Sequence, residues 1–222
     1  MATLHVLRVF VNEEDEFGNP LGVFLDGAEI AEDRRQGIAA ELGYSETVFV
    51  DGRERAELRI FTPGTELPLA GHPLVGTAWL LREQGTAVQT LRPPAGEVGV
   101  RFDDVTYISA DPGWSPPFDY VQLADPAAVR ALDGPPTAGD EVYAWAWIDE
   151  DAGTIRARSF APGVGIAEDE ATGSAALALS ARLGRAVTIH QGQGSLLVAR
   201  PLDDGRAEVG GRVRLEEVRD FG

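Results

Sequence analysis

The feature that most constrains this chain is that it repeats itself. Arg59-Ile60-Phe61-Thr62-Pro63-Gly64 returns 99 residues later as Arg158-Ser159-Phe160-Ala161-Pro162-Gly163. A shared hexapeptide alone is weak, but the flanks match as well. In the first copy residues 47–50 turn through Asp51-Gly52-Arg53 into residues 57–61, a hairpin pattern. In the second, residues 142–148 turn through residues 149–153 into residues 154–160. Ala70-Gly71-His72-Pro73 then leads into an apolar helix expected over 74–84, and Ala171-Thr172-Gly173-Ser174 into one over 175–183. Gly85 and Gly184 follow, each 24 residues after the phenylalanine of its own copy.

The two helices share signals. Pro73 fits a first helical turn, where a missing N–H is no loss. Thr172 or Ser174 can cap the second helix, and Gly85 and Gly184 suit the left-handed residue that ends helices. Leu74, Val75, Ala78, Trp79, Leu80 and Leu81, then Ala175, Ala176, Leu177, Ala178, Leu179 and Ala181, make both helices apolar around most of their circumference. Such helices are buried. Further strands are expected at 4–11, 22–25, 89–91, 98–102, 105–110, 196–199, 206–209 and 212–218, with a short surface helix at 30–42. Breakers around Pro112–Pro117 place a boundary between halves 1–108 and 109–222, the final strand being free to return to the first half. The expectation is an α+β chain of two pseudo-symmetric halves, each a barrel-like sheet around a central helix, with a site between them.

Composition narrows the chemistry. With no cysteine there is no disulfide, thiolate metal site or thiol nucleophile. His5, His72 and His190 show no metal-ligand spacing, and no phosphate-binding glycine loop occurs in context. No metal site and no dissociable nucleotide cofactor is therefore expected. Thirty-six acidic residues against 19 basic ones give a net charge of −17, which repels a phosphate backbone. No apolar run is long enough to cross a bilayer, and the first residues lack the pattern of a secretory signal. A soluble cytoplasmic protein with neither nucleic-acid nor membrane partners is the expectation.

The repeat also offers a binding device. A buried helix entered through a glycine loop presents free N–H groups and the positive end of its dipole, and two such ends facing one another would cradle a carboxylate. Gly71 and Gly173 either let a ligand approach the backbone or merely permit tight turns; the repeat does not separate the two. Glu46 opens a strand among apolar neighbours, where partial desolvation would favour its neutral form and suit a proton shuttle. A solvated strand-end glutamate fits the same pattern. Asp169 is the acid before the second helix expected to face a substrate, although dipole complementarity also explains Glu168, Asp169 and Glu170. His72 is either an acid or donor toward substrate or a structural residue of its loop.

At these residues the chain resembles the phenazine-biosynthesis PhzF-like family, relatives of diaminopimelate epimerase by fold. The blocks are Phe17-Gly18-Asn19-Pro20 with Val23-Phe24; Ser45-Glu46-Thr47-Val48-Phe49-Val50; Arg59–Pro63 with Glu66-Leu67-Pro68-Leu69-Ala70-Gly71-His72-Pro73; Gly76-Thr77-Ala78; and Phe160-Ala161-Pro162 with Glu168–Ala175. The resemblance implies two barrel-like halves with the site in the cleft between them, a homodimer, and no cofactor. It implies that Glu46 moves a proton between carbons, with Asp169, His72 and Ser174 orienting substrate and assisting protonation. Asn19, Gly71, His72, Pro73, Thr172, Gly173 and Ser174 are the implied substrate-binding positions. Epimerase relatives carry cysteines at the two helix starts; Gly71-His72 and Gly173-Ser174 stand here instead, which excludes a two-thiol racemase. The chain is shorter than the usual member, mainly between the two helix blocks. The expected function is a cofactor-independent isomerase acting on a small carboxylate-bearing substrate. An epimerase or racemase using Glu46 and a non-thiol partner, and a non-catalytic binder of small acids, are the alternatives.

Overall fold

Both copies of the repeat build the same local device, and it explains why the motif recurs. In the computed structural model, which describes residues 2–222, Arg59 forks onto Glu66 through Nε and Nη2, both at 2.6 Å. Arg158 forks onto Glu168 through the same two nitrogens at 2.8 and 2.7 Å. Each guanidinium also lies over the ring two residues on, at 5.6 Å from Phe61 and 5.0 Å from Phe160. A bidentate fork is the tightest geometry available to an arginine and a carboxylate. It ties the segment that enters each central helix back onto the hairpin before it.

The residues fall into two units. Unit 1 holds residues 2–9, Asn19–Ala110 and Gly211–Gly222; unit 2 holds Phe10–Gly18 and Asp111–Gly210. Unit 1 contains β1 (Ala2–Val11, its last two residues belonging to unit 2), β2 (Asn19–Phe24), α1 (Glu32–Leu42), β3 (Glu46–Gly52), β4 (Glu57–Phe61), β5 (Glu66–Leu67), α2 (Gly71–Glu83), β6 (Thr90–Leu91), β7 (Val98–Phe102) and β8 (Thr106–Ala110). Unit 2 contains β9 (Asp119–Gln122), α3 (Pro126–Arg130), β10 (Val142–Asp149), β11 (Thr154–Ala161), β12 (Ile166–Asp169), α4 (Gly173–Leu183), β13 (Val187–Gln191), β14 (Ser195–Pro201) and β15 (Ala207–Phe221), the last passing into unit 1 after Gly210.

In unit 1 the strand order is β5-β4-β3-β2-β1-β15, continuing through β8 and β7 to β6. Helix α2 touches β2 and β3 on one side and β8 on the other, so the sheet curls around it. Ten of its thirteen residues are buried, as expected for a helix enclosed on all sides. Gly76 makes that fit possible: a methyl group there would fall 2.5 Å from Leu21 and 2.8 Å from Val9. In unit 2 the order is β15-β14-β13-β11-β10-β9, with β12 on the free side of the end of β11. Helix α4 packs on β14, while Tyr120 of β9 donates to the Ala175 carbonyl at 3.0 Å. Strands from opposite sides of that sheet, β14 and β9, thus reach one helix. The chain is α+β, mostly sheet, with one wrapped helix per unit.

Both expected hairpins form, β3 with β4 and β10 with β11, antiparallel. Gly85 and Gly184 have φ of +81° and +65° and close their helices as expected. Other expectations need correction. The central helices begin earlier, at Gly71 and Gly173. Helix α1 is not merely a surface element: its Arg35 is 2% exposed and binds Asp51 and the carbonyls of Gly27 and Ile30. The strands expected at 206–209 and 212–218 are one strand, β15, because Gly210-Gly211 continue the ladder rather than break it. The elements β5, β9, α3, β12 and β13 were not anticipated.

Candidate active site

In unit 1 the candidate chemistry gathers at the start of α2. Parallel pairing of β2 with β3 puts Leu21 opposite Glu46, so the two strands that begin at Asn19 and Glu46 run side by side. The Glu46 side chain is 13% exposed and that of His72 6%, and Glu46 Oε2 lies 2.8 Å from His72 Nε2. That is ion-pair distance without the alignment of a hydrogen bond. The other ring nitrogen, Nδ1, stands 3.5 Å from the side-chain nitrogen of buried Asn19. With that amide donating to Nδ1, the ring carries its proton on Nε2, the nitrogen 2.8 Å from Glu46 Oε2. Sequence reasoning left Glu46 open between a core-edge and a solvated carboxylate; the structure places it at the core edge, against an imidazole. Gly71, His72 and Pro73 form the first helical turn, and N-cap Ala70 contributes no side-chain cap. The Gly71 and His72 N–H groups therefore lack acceptors within the helix.

In unit 2 Asp169 ends β12 and Thr172 precedes α4. The expected cap does not form. Thr172 occupies the N-cap position, but its hydroxyl makes no bond to the helix backbone and donates instead to Asp169 Oδ2 at 2.6 Å. Ser174 is the second helical residue, and its carbonyl accepts from Ser115 Oγ at 3.1 Å. Gly173 opens the helix. Glu170, unlike its neighbour, is fully committed to structure. Its carboxylate accepts from the backbone N–H groups of Gln193, Gly194 and Ser195 and from Ser195 Oγ at 2.8–3.3 Å. Ser195 Oγ in turn accepts from the Gly18 N–H at 3.0 Å, fixing the loop that carries Phe17.

Two groups beside Asp169 escaped the sequence reading. Gln191 donates to the Asp169 carbonyl at 3.0 Å and to Thr172 Oγ1 at 2.9 Å. The signal was present in the alternating, β-branched run Val187-Thr188-Ile189-His190-Gln191, which is a strand pattern. Glu141 is the other: burial, with Asp169 and Asp140 nearby, pushes its carboxyl above the ordinary range. His5 and His190 lie on β1 and β13, and burial lowers both below the ordinary histidine value. Among the described residues no cluster of three or more His, Cys, Asp or Glu is arranged to hold a metal, and no helix is long and apolar enough to cross a membrane. An open cavity of about 490 Å³ lined by Arg59, Glu66, Pro68 and Pro94 contains none of the expected site residues.

A helix wrapped by sheet in each of two sequence-related units defines the diaminopimelate epimerase-like class of α+β proteins, here with an acid–imidazole pair at one helix start. Residues 8–110 and 141–199 match the family described as phenazine biosynthesis-like protein, PhzC-PhzF, and the chain belongs to that family. It is 33% identical over 217 aligned residues to a trans-2,3-dihydro-3-hydroxyanthranilate isomerase of Pseudomonas chlororaphis, covering 79% of this chain and 78% of that one. The structure of a phenazine biosynthesis PhzC/PhzF protein from Clostridium difficile superposes with a TM-score of 0.82 at 21% identity, over 100% of both chains. A predicted epimerase of Pseudomonas aeruginosa does so with a TM-score of 0.75 at 25% identity, over 100% of this chain and 99% of the other.

Proposed function

We propose that this chain is an isomerase that moves a proton between two carbons of a small carboxylate-bearing substrate, with Glu46 as the acid–base group. The observation that carries the reading is the nearly buried Glu46 carboxyl group 2.8 Å from His72 Nε2 at the first turn of α2. A carboxylate there can take a proton from carbon and return it to another as the double bonds shift, so substrate and product keep one composition. No electrons enter or leave, and the step needs no redox cofactor. His72 assists by holding or sharing the proton beside Glu46. A helix N-terminus is suited to a carboxylate and to the charge that develops next to it, and α2 begins at Gly71-His72 as α4 does at Gly173-Ser174. Asn19 orients His72, Pro73 shapes the first turn, and Asp169 with Thr172 supplies a second polar group for the substrate. The homodimer belongs to this reading as well; light scattering should give twice the chain mass.

The test is incubation with trans-2,3-dihydro-3-hydroxyanthranilate, the compound in the name of the Pseudomonas chlororaphis relative, in deuterated water. The expected result is an isomerised product carrying carbon-bound deuterium, lost in Glu46→Gln. Turnover that survives Glu46→Gln would end the proposal. The likeness to the predicted epimerase favours one second reading, inversion at a single carbon. Chiral chromatography of the recovered substrate separates it from positional isomerisation.

A further inference from the structure

Unit 2 contains a chain of hydrogen bonds whose direction is fixed at every link. It starts at Tyr143, whose hydroxyl lies 2.9 Å from Gln191 Oε1. The Gln191 side-chain nitrogen lies 3.0 Å from the Asp169 carbonyl and 2.9 Å from Thr172 Oγ1. Thr172 Oγ1 lies 2.6 Å from Asp169 Oδ2. A backbone carbonyl only accepts, so the amide nitrogen, not the oxygen, must face Asp169. That assignment leaves Oε1 facing Tyr143, and the tyrosine must donate. Burial keeps it able to do so, pushing the fully enclosed hydroxyl far above its ordinary value. The two amide hydrogens are then divided between the Asp169 carbonyl and Thr172 Oγ1. A hydroxyl has one proton. With an amide hydrogen already directed at its oxygen, Thr172 delivers that proton to Asp169 Oδ2.

Tyr143 and Gln191 are fully buried, and the strands hold the relay in register. Tyr143 of β10 pairs with Ser159 of β11, and Ser159 pairs with Asp169 of β12. Ala157 of β11 pairs with Gln191 of β13. Half-satisfied buried networks are destabilising, and fully connected ones hold a single arrangement. We propose that Gln191 is a positioning residue: acting through Thr172, it holds the Asp169 carboxylate as an acceptor in one orientation for the substrate. The proposal rests on the reading that Asp169 meets the substrate.

The relay is tested with Thr172→Val, which keeps the shape and removes the hydroxyl, Thr172→Ser, which keeps the hydroxyl, and Gln191→Glu, which cannot donate twice from one atom. Two measurements are made on each. The first is the carboxyl ¹³C resonance of Asp169, assigned by its loss in Asp169→Asn. It is expected to move in Thr172→Val and Gln191→Glu and to return toward wild type in Thr172→Ser. The second is turnover of trans-2,3-dihydro-3-hydroxyanthranilate, expected to fall about 10–100-fold in the first two variants and to recover in Thr172→Ser, the rate equivalent of one charge-assisted hydrogen bond. An Asp169 resonance unmoved in folded Thr172→Val overturns the relay, whatever the turnover. A resonance that moves while turnover stays at the wild-type level overturns its functional role. Should wild type fail to turn the compound over, the isomerase reading fails on that substrate and the resonance still decides the relay. Thr172→Val leaves the buried amide in place, so it remains informative even where Gln191→Glu does not fold.

Discussion

The two helix starts, that of α2 in unit 1 and that of α4 in unit 2, descend from one repeated pattern yet hold their polar groups in different ways. Both are entered through an arginine–glutamate fork, and both lack a side-chain cap on the helix. At α2 the acid comes from another strand, and a ring on the helix itself meets it: Glu46 on β3 and His72 on the first turn. At α4 the acid lies on the entering segment and is gripped by a threonine three residues on, which is oriented in turn from β13. The shared scaffold accounts for the helix and for a start that no side chain caps. The chemistry is set by whichever side chain happens to reach that turn from the surrounding sheet. The first arrangement suits a group that must give and take a proton, since its partner can also titrate. The second suits a group that must keep still, since hydroxyl and amide partners cannot.

The largest effect should come from replacing Glu46. If that start carries the proton transfer, Glu46→Gln lowers deuterium uptake by about 10²–10⁴-fold, the usual contribution of a positioned acid–base group, with little change in the denaturation midpoint. A loss below tenfold would move the proton-transferring role away from α2. His72→Gln should come next, lowering turnover by about 10–100-fold, because the glutamate survives but loses the imidazole 2.8 Å from it. Its pH–rate profile should also change shape, since a titrating partner has gone. An unaltered profile would make His72 a structural residue of its loop.

How much of this could be read in advance differs between the two starts for physical reasons. Glu46, His72, Asp169 and Thr172 stand out as candidates because each sits beside a local signal: a strand beginning, a Gly-His-Pro turn, a Thr-Gly helix entry. The hairpins and the terminating glycines were legible for the same reason. Gln191 does not stand out: its run reads as a strand, but the lateral pairing of β13 with β11 that brings it beside Asp169 and Thr172 leaves no mark in the local sequence. Short strands such as β5 and β9, of two and four residues, carry too little periodicity to read. Nor does local preference foretell Phe10, a fully buried bulky residue at φ +69° at the point where β1 passes from unit 1 to unit 2. Such a conformation persists only when surrounding packing imposes it.

A third test concerns stability at the second start. Gly192 has φ +59°, and a methyl group there would lie 2.6 Å from the Glu170 carbonyl oxygen and against the Glu170 carboxylate. Gly192→Ala should therefore destabilise by about 2 kcal/mol or more, combining left-handed strain with overpacking. Urea unfolding measures it. A neutral result would mean that the Glu170 carboxylate and its amide donors do not brace this start as the structure suggests.

The smallest effect asks whether the two forks do the same work. Arg59 and Glu66 are each about a third exposed, so the fork in unit 1 should contribute no more than about 1 kcal/mol, and Arg158→Met, which also removes the bond to the Leu132 carbonyl from a more buried guanidinium, should cost more than Arg59→Met at neutral pH. Acid separates a true fork from incidental packing. The hydrogen bonds from Arg59 hold the Glu66 carboxyl below its ordinary value of 4.5. A carboxyl whose folded value is depressed stabilises above its unfolded value and loses that contribution as pH falls through the folded one. The gap in unfolding free energy between wild type and Arg59→Met should therefore be full at pH 6–7 and narrow progressively below about pH 4.5. A gap that stays constant down to pH 3 would assign the whole effect to the guanidinium lying over Phe61, and the entry to α2 would then be held by packing rather than by the ion pair.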